Sequence, residues 1–379
     1  MKIIATAAFG LESITAREIK NLGYENAVTE NGKVVLDGTE TDIARLNMWL
    51  RTADRVLWEV ASFNAETFEE LFQGVKAVAW GEFMPIDAKM HVIGKSIQST
   101  LSSVPACQSV TKKAIVEKMK QKYGTDYFEE TGPVYKISVS IVKNTVSLTI
   151  DTSGEGLHKR GYRALAGEAP LKETLAAALI QLSYWKAERT LCDPLCGTGT
   201  IPIEAAMIAL NRAPGLKRSF VCEQWPFFSD KIWKEIRDEA VSLYTPDKKL
   251  SIYGSDMDPK AIELSVIHAK QSGLDKYIDF KVKDVKNLYS EESYGFIITN
   301  PPYGERLGTE KQAEKLYKTM SEVFSKLDNW SYYILPAYTG FEKIFGRKAD
   351  KRRKLFNGRI ECQYYRFLGN SPKRKENTK

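Results

Sequence analysis

The sequence predicts an α/β chain: a small α+β unit comes first, and a doubly wound parallel sheet follows. Three observations carry this. From Leu171 onward, short apolar or β-branched runs alternate with amphipathic stretches, and repeated β–α alternation closes into a parallel sheet. Before residue 152 strand-like runs are joined by tight turns, as at Asn31-Gly32 and Lys143-Asn144. Between these halves Gly154, Gly156, Gly161 and Gly167 break the pattern, and the main boundary falls there.

In order, Met1 to Phe9 reads as a strand, and Leu11 to Leu22 as an amphipathic helix ended by Gly23. Val34-Val35-Leu36 is a strand after its turn signal. A helix around Asp42 to Leu50, a strand around Arg55 to Ser62, a helix from Phe68 to Trp80 and a strand from Lys89 to Lys95 follow. Ser109 to Tyr123 is a helix ended by Gly124, with Val110, Ala114, Ile115 and Met119 on one face and five lysines on the others. Val134 to Val142 and Thr145 to Asp151 are strands.

The second half opens with a helix from Leu171 to Lys186. Strands are expected at Thr190 to Asp193, Leu250 to Asp256, Ile278 to Asp284 and Tyr294 to Ile298. Helices are expected at Ile201 to Leu210, Pro259 to Gly273 and Gln312 to Leu327, with later strands at Ser331 to Leu335 and Glu361 to Phe367. Asn211 to Lys249 reads as an insertion.

Composition narrows the class. The chain has 379 residues, 43% hydrophobic and 27% charged, enough for more than one packed domain. No apolar run reaches the length of a membrane span, and the start does not read as a signal peptide. Five scattered cysteines argue for a reducing, cytoplasmic setting; Cys192 and Cys196 have no second pair to complete a metal site, so no metal is expected. Charge is uneven. Residues 1–160 hold 19 Lys/Arg against 20 Asp/Glu, whereas 343–379 hold 13 against 3. That basic end, with Lys351-Arg352-Arg353-Lys354 and Lys373-Arg374-Lys375, suits a polyanion.

The chemistry centres on Thr299-Asn300-Pro301-Pro302-Tyr303-Gly304. Two prolines lack N–H donors and end the preceding strand at Asn300. The Asn300 amide oxygen and the Asn300-Pro301 carbonyl are two adjacent acceptors, and Tyr303 offers a flat face. A planar NH2 group on a nucleobase matches all three.

Gly197-Thr198-Gly199 lies in a strand-to-helix turn. It is no dinucleotide fingerprint, because Pro202 replaces the third glycine and the first acid after the next strand, Asp256, comes about 60 residues on rather than about 20. Asp193 beside the turn would repel a pyrophosphate. Three successive strands end in acids: Asp193, Asp256 and Asp284. Carboxylates suit a ligand with an ammonium, a sulfonium, a ribose diol and an amino-purine but no phosphate. S-adenosylmethionine is such a ligand, with Asp193 at its amino-acid end, Asp256 on the diol and Asp284 on the adenine amine.

These residues resemble the THUMP-domain class I S-adenosylmethionine-dependent N2-guanine methyltransferases of bacterial large-subunit ribosomal RNA. The resemblance spans nearly the whole chain. It is carried by His158-Lys159-Arg160-Gly161-Tyr162-Arg163, Ala169-Pro170-Leu171-Lys172-Glu173, Asp193-Pro194-Leu195-Cys196-Gly197-Thr198-Gly199-Thr200, Ala213-Pro214-Gly215, Gly254-Ser255-Asp256-Met257-Asp258-Pro259 and Asn300-Pro301-Pro302-Tyr303-Gly304-Glu305-Arg306. It implies a ferredoxin-like subdomain over 1–60, a THUMP RNA-binding domain over 61–155 and a seven-stranded methyltransferase domain over 156–379.

It implies cofactor contacts from Asp193, Pro194, Cys196, Gly197, Thr198, Gly199, Thr200, Asp256, Met257, Asp284, Val285 and Asn300. Asn300, Pro301, Pro302 and Tyr303 form the catalytic corner. Lys112, Lys113, Lys120, Lys159, Arg160 and Arg163 are the expected RNA contacts, ribosomal RNA being the expected partner. Other readings are a transfer RNA guanine-N2 methyltransferase, a DNA adenine-N6 methyltransferase and, more remotely, a non-catalytic RNA-binding protein.

Overall fold

The computed structural model of the protein describes residues 1–163, 171–302, 310–338 and 340–370. Tyr303, Gly304-Glu305-Arg306, Ala169-Pro170 and the run Lys373-Arg374-Lys375 therefore lie outside the described residues. The chain divides into two compact units.

The first unit comprises Met1–Ala7, Thr15–Leu157 and Arg218–Ser242. Its elements are β1 (Lys2–Ala7), α1 (Glu12–Asn21, whose first residues group with the second unit), β2 (Val28–Glu30), β3 (Lys33–Asp37), α2 (Glu40–Trp49), β4 (Ala53–Asn64), α3 (Phe68–Lys76), β5 (Lys89–Ile97), α4 (Val104–Tyr123), β6 (Val134–Val142) and β7 (Thr145–Asp151). They form one seven-stranded sheet in the order β2-β3-β1-β4-β7-β6-β5. The sheet is continuous because β4 is twelve residues long: Ala53 to Glu59 pair with β1, and Leu57 to Asn64 pair with β7. Residue 60, the boundary expected between the first two domains, thus lies inside a single strand.

Helix α4 begins at Val104, five residues before the expected start, because Pro105 sits in the first turn, where a missing N–H costs nothing. Gly124 ends it at φ +65°.

Within the second half of the sequence, Arg218–Ser242 packs with this first unit. There α7 (Asp230–Ser242) packs on α2, and Arg45 pairs with Glu239 at 2.8 Å. Trp225 stacks on Tyr135 with centroids 4.3 Å apart.

The second unit comprises Ala8–Ile14, His158–Lys217 and Leu243–Lys379. Along the second half run α5 (Glu173–Leu182), β8 (Leu191–Asp193), α6 (Thr200–Ala209), α7 (Asp230–Ser242, in the first unit), β9 (Ile252–Asp256), α8 (Pro259–Ser272), β10 (Ile278–Val282), β11 (Phe296–Thr299), α9 (Glu310–Phe324), β12 (Ser331–Ile334), α10 (Phe341–Phe345), β13 (Lys351–Asn357) and β14 (Ile360–Phe367). The sheet order is β10-β9-β8-β11-β12-β14-β13. The first five strands run parallel, and β14 pairs antiparallel with both β12 and β13. From β8 the chain builds outward first through β9 and β10, then through β11 on the other side. Such a reversal opens a crevice at the carboxyl ends of the strands. β11 is buried along its whole length, as its unbroken apolar run requires.

Two strands escape the sequence reading. β2 is short and exposed. β13 is the cluster read as part of a basic, polyanion-binding end. Its Lys351-Arg352-Arg353-Lys354 run is instead an edge strand, where charge discourages pairing with another chain. Three of these side chains have local partners: Arg352 on Glu342, Lys354 on Glu361 and Arg353 on the Ser13 hydroxyl.

A second correction concerns Arg160, expected on RNA. It is buried and paired with buried Glu204 at 3.3 Å. Burial and that partner remove it from any direct contact with phosphate. Glu204→Ala, which strands a buried guanidinium, should lower stability by about 3–5 kcal/mol in denaturant titration. Arg160→Met with Glu204→Leu should recover most of that loss.

Candidate functional site

The switch point of the second sheet holds a cavity of about 890 Å³. Asp193 at the end of β8, Asp256 at the end of β9, Asp284 just beyond β10 and Asn300 just beyond β11 all line it. One cavity thus gathers the three strand-end acids and the asparagine of the proline corner.

Asp193 is almost wholly buried. Its Oδ1 accepts two hydrogen bonds, from the Thr299 hydroxyl at 2.6 Å and the Leu195 N–H at 3.2 Å. No protein donor among the described residues reaches Oδ2. Burial pushes this carboxyl up to about 7. Thr299 and Leu195 oppose the rise, and the Asp256 charge adds to it.

Asp256 accepts the Gly197 N–H on Oδ2 at 3.0 Å and the Asp258 N–H on Oδ1 at 3.0 Å, which ties the end of β9 to the glycine turn. Asp284 accepts the Lys286 N–H at 2.9 Å and faces the Lys286 ammonium at 3.1 Å. The backbone bond holds its carboxyl below the usual range, and the lysine reinforces it.

The two glycines of the turn differ in their work. Gly197 lines the cavity at φ +52°, and a Cβ there would meet nothing within 4 Å. Gly199, at φ +81°, does not line it. A Cβ there would stand 2.9 Å from the Phe280 ring and 3.0 Å from Ser265, so this glycine serves packing. The Ser265 hydroxyl donates to the Gly197 carbonyl at 2.8 Å and holds the turn from α8.

Of the other sequence-named residues, Cys196, Thr198, Thr200, Met257, Val285 and Pro302 line the cavity, whereas Pro194 and Pro301 do not. Met257 and Val285, with Ala261 and Leu264, contribute to its apolar surface. The Cys196 thiol is buried, which pushes its pKa far up and leaves it inert.

Asn300 Oδ1 is the most informative atom of the site. It is buried and accepts no hydrogen bond from the described residues. A buried oxygen in that state costs free energy until a donor arrives. The stacking face expected from Tyr303 lies outside the described residues.

The expected RNA contacts differ in exposure and pairing. Lys113 and Lys159 are exposed. Lys112 is paired with Glu130, and Lys120 with Glu117 and Asp126. Arg163 is paired with Glu173 and donates to the Thr200 hydroxyl.

Sequence reasoning missed further lining residues: Lys260, Lys286 and, on α9, Gln312, Lys315, Leu316 and Thr319. Their spacing of three and four along α9 was a usable signal, because it marks one stripe of the helix that follows the proline corner.

An acid-lined, apolar-walled cavity with an orphan acceptor suits a cationic nucleoside. The donors and acceptors present therefore fit S-adenosylmethionine.

Comparison with known proteins agrees. Residues 160–366 match the family described as RMKL-like, methyltransferase domain; residues 2–57 match the RlmL ferredoxin-like domain, and 65–151 the THUMP domain. The YpsC protein of Bacillus subtilis (strain 168), described as a candidate RNA methyltransferase, is 48% identical over 377 residues, 99% of this chain and 98% of that protein. A Listeria monocytogenes structure, described as a predicted N6-adenine-specific DNA methylase, is 46% identical with a TM-score of 0.93, covering 97% of this chain and 96% of that one. The structure of SMU.472, complexed with SAH, is 42% identical with a TM-score of 0.92, covering 98% and 99%. With the acids and the Asn300 corner gathered in one cavity, these matches establish that the chain belongs to the RMKL-like methyltransferase family and is an S-adenosylmethionine-dependent enzyme carrying RlmL ferredoxin-like and THUMP domains.

Proposed function

We propose that the enzyme methylates the exocyclic N2 amine of a guanine in RNA, with 23S ribosomal RNA as the acceptor. The observation that carries this is the Oδ1 of Asn300, buried and without a donor among the described residues, beside the acid-lined cavity. An exocyclic NH2 supplies the donor that oxygen lacks. RNA as the acceptor is supported by the THUMP domain and by the described role of the Bacillus relative.

The cofactor brings an electrophilic methyl on a sulfonium. The chain does the rest. Asp193 offers Oδ2 to an ammonium, Asp256 faces a ribose diol and Asp284 an amino-purine edge. Asn300 Oδ1 and its own carbonyl accept the two N–H groups of the base amine. Its lone pair is shared with the ring, so the free amine is a weak nucleophile. Accepting both N–H groups favours pyramidalisation and stabilises the positive charge that develops on nitrogen. Holding the amine in place supplies much of the remaining rate. A base in a folded RNA must leave its stack to enter such a cavity.

A second reading, adenine-N6 methylation of DNA, is favoured by the description of the Listeria relative. No single described residue selects guanine over adenine. Incubation with labelled cofactor and ribosomal RNA, transfer RNA or duplex DNA separates the readings. Labelled N2-methylguanine in ribosomal RNA is the expected product; N6-methyladenine in DNA would replace the proposal with the second reading.

Asn300→Ala should cut methyl transfer by about 10²-fold or more, the usual cost of removing one group that stabilises transition-state charge. Calorimetric affinity for the cofactor should change far less. Retention of most activity would remove Asn300 from the mechanism.

Asp193 gives a pH test. Its pKa lies above the ordinary carboxyl value of about 3.9, so the folded protein loses stability as pH climbs through about 4 to 7. Binding of an ammonium to the ionised form runs the other way. Cofactor affinity should be about fivefold tighter at pH 7 than at pH 6, from the rise in ionised fraction. Asp193→Asn should bind more weakly and lose that dependence.

A further inference from the structure

The run Arg212-Ala213-Pro214-Gly215, shortly after α6, takes no part in the cavity. Arg212 is almost wholly buried, with its guanidinium over the Tyr244 ring at 5.7 Å. No carboxylate pairs with it among the described residues. A buried cation in that state costs free energy until an opposite charge arrives.

A second cation stands beside it. Helix α8 ends at Gly273, an exposed residue at φ +70°. Beyond its own helix end, a Cβ built there would meet two atoms within 4 Å: Arg212 Nη1 at 3.4 Å and Lys217 Nζ at 3.9 Å. Lys217 is exposed, and its ammonium donates to the Gln271 carbonyl at 2.7 Å. That bond caps the helix and uses one of three donors. Lys217 also lacks a carboxylate partner among the described residues. The bare glycine thus leaves an opening to solvent flanked by two positive nitrogens.

Magnitudes decide how much charge is left over. The carboxyl end of a helix carries about half a negative charge, so two cations exceed it by more than one unit. Burial, and then the guanidinium beside it, hold the Lys217 ammonium below its usual range, as like charges without a counter-ion should. Two more cations share this end of the unit. Lys276 lies 4.9 Å from the Tyr277 ring centroid, and Lys248 donates to the Ala209 carbonyl at 3.0 Å. The Tyr277 hydroxyl donates to the Pro246 carbonyl at 2.6 Å and ties their loops together. Asp247 and Asp275 lie in the same loops and pair with none of the four.

We infer that Arg212 and Lys217 bind one phosphate group of the acceptor RNA's backbone, seated over Gly273. The inference rests on the reading of RNA as the acceptor. Helix α8 is fourteen residues long and its first turn lines the cavity, so the two sites stand about 20 Å apart. A nucleoside in the cavity does not cover that distance, whereas a folded RNA does. Cations spread along an open surface suit a phosphate backbone better than one small anion.

Binding of a labelled ribosomal RNA fragment to the full chain, measured over a range of salt, tests this. Lys217→Met and Arg212→Met should each weaken binding about fivefold, the upper end for an exposed ion pair. Each should also flatten the slope of log affinity against log salt by about 1. Lys217→Arg, which keeps the charge, should hold the parent slope. In methyl transfer the loss should fall on KM for RNA, with kcat and the calorimetric affinity for S-adenosylmethionine unchanged. If Arg212→Met does not fold, Lys217→Met, at an exposed position, carries the comparison. Parent affinity and slope in Lys217→Met would overturn the inference.

A second arm replaces chloride by inorganic phosphate at constant ionic strength. Phosphate should compete with RNA in the parent, and less so in Lys217→Met. Calorimetric phosphate binding that Lys217→Met abolishes, with RNA slopes unchanged, would assign the site to a small phosphate and overturn RNA as its ligand. If the parent itself binds no RNA, the acceptor reading fails and the inference falls with it; RNA binding that both variants leave untouched sinks the inference alone.

Discussion

The hydrogen bond from Thr299 to Asp193, 2.6 Å and buried, joins the ends of β11 and β8. Both strands sit at the centre of the sheet, where the strand order reverses. The bond has two consequences. It occupies Oδ1 of the carboxylate and leaves Oδ2 available to the cavity. It also fixes the last residue of β11, so the next residue, Asn300, leaves the sheet at a set point. Thr299 is held from the other side by its carbonyl, which accepts the Leu335 N–H at 3.0 Å. An acid and an amide on different strands are thereby kept in register without touching. Precision of this kind is easier to build on strand ends than on free loops.

Much of this was legible because its signals are local. A Gly-Thr-Gly turn, an acid at a strand end and two prolines after an apolar run each lie within a few residues of what they determine. The fold that gathers them was equally legible, since β–α alternation leaves few ways to wind a parallel sheet. What stayed hidden depends on distant partners. Arg160 reads as a surface cation until Glu204, 44 residues later, is folded against it. β13 has only two apolar residues, Leu355 and Phe356, and charges on both faces, so neither period stands out. The shared sheet of the first unit could not be read because β4 looks like one strand of one domain, whichever side is considered. Helix α7 is different: its buried Trp233, Ile236 and Ala240 fall at helical spacing inside what was read as an insertion, and the periodicity was there to be used.

The acceptors of the cavity divide by position, although Lys260, Lys286 and Lys315 also line it. Carboxylates line the part formed by β8, β9 and β10, and the corner after β11 presents a neutral amide. The division has a mechanistic reason. A carboxylate at position 300 would attract the sulfonium in the ground state as strongly as it attracted the charge developing on the base amine. Binding both states equally deepens the resting complex without lowering the barrier. A neutral acceptor draws little on a sulfonium but accepts fully from N–H bonds whose hydrogens become more positive as the methyl moves. Asn300 Oδ1, buried and lacking a donor, is therefore poised to gain most when the amine is being alkylated. On the proposed mechanism the acids act in binding and the amide acts in the transition state, and the strand order of the sheet keeps the two tasks on different strands.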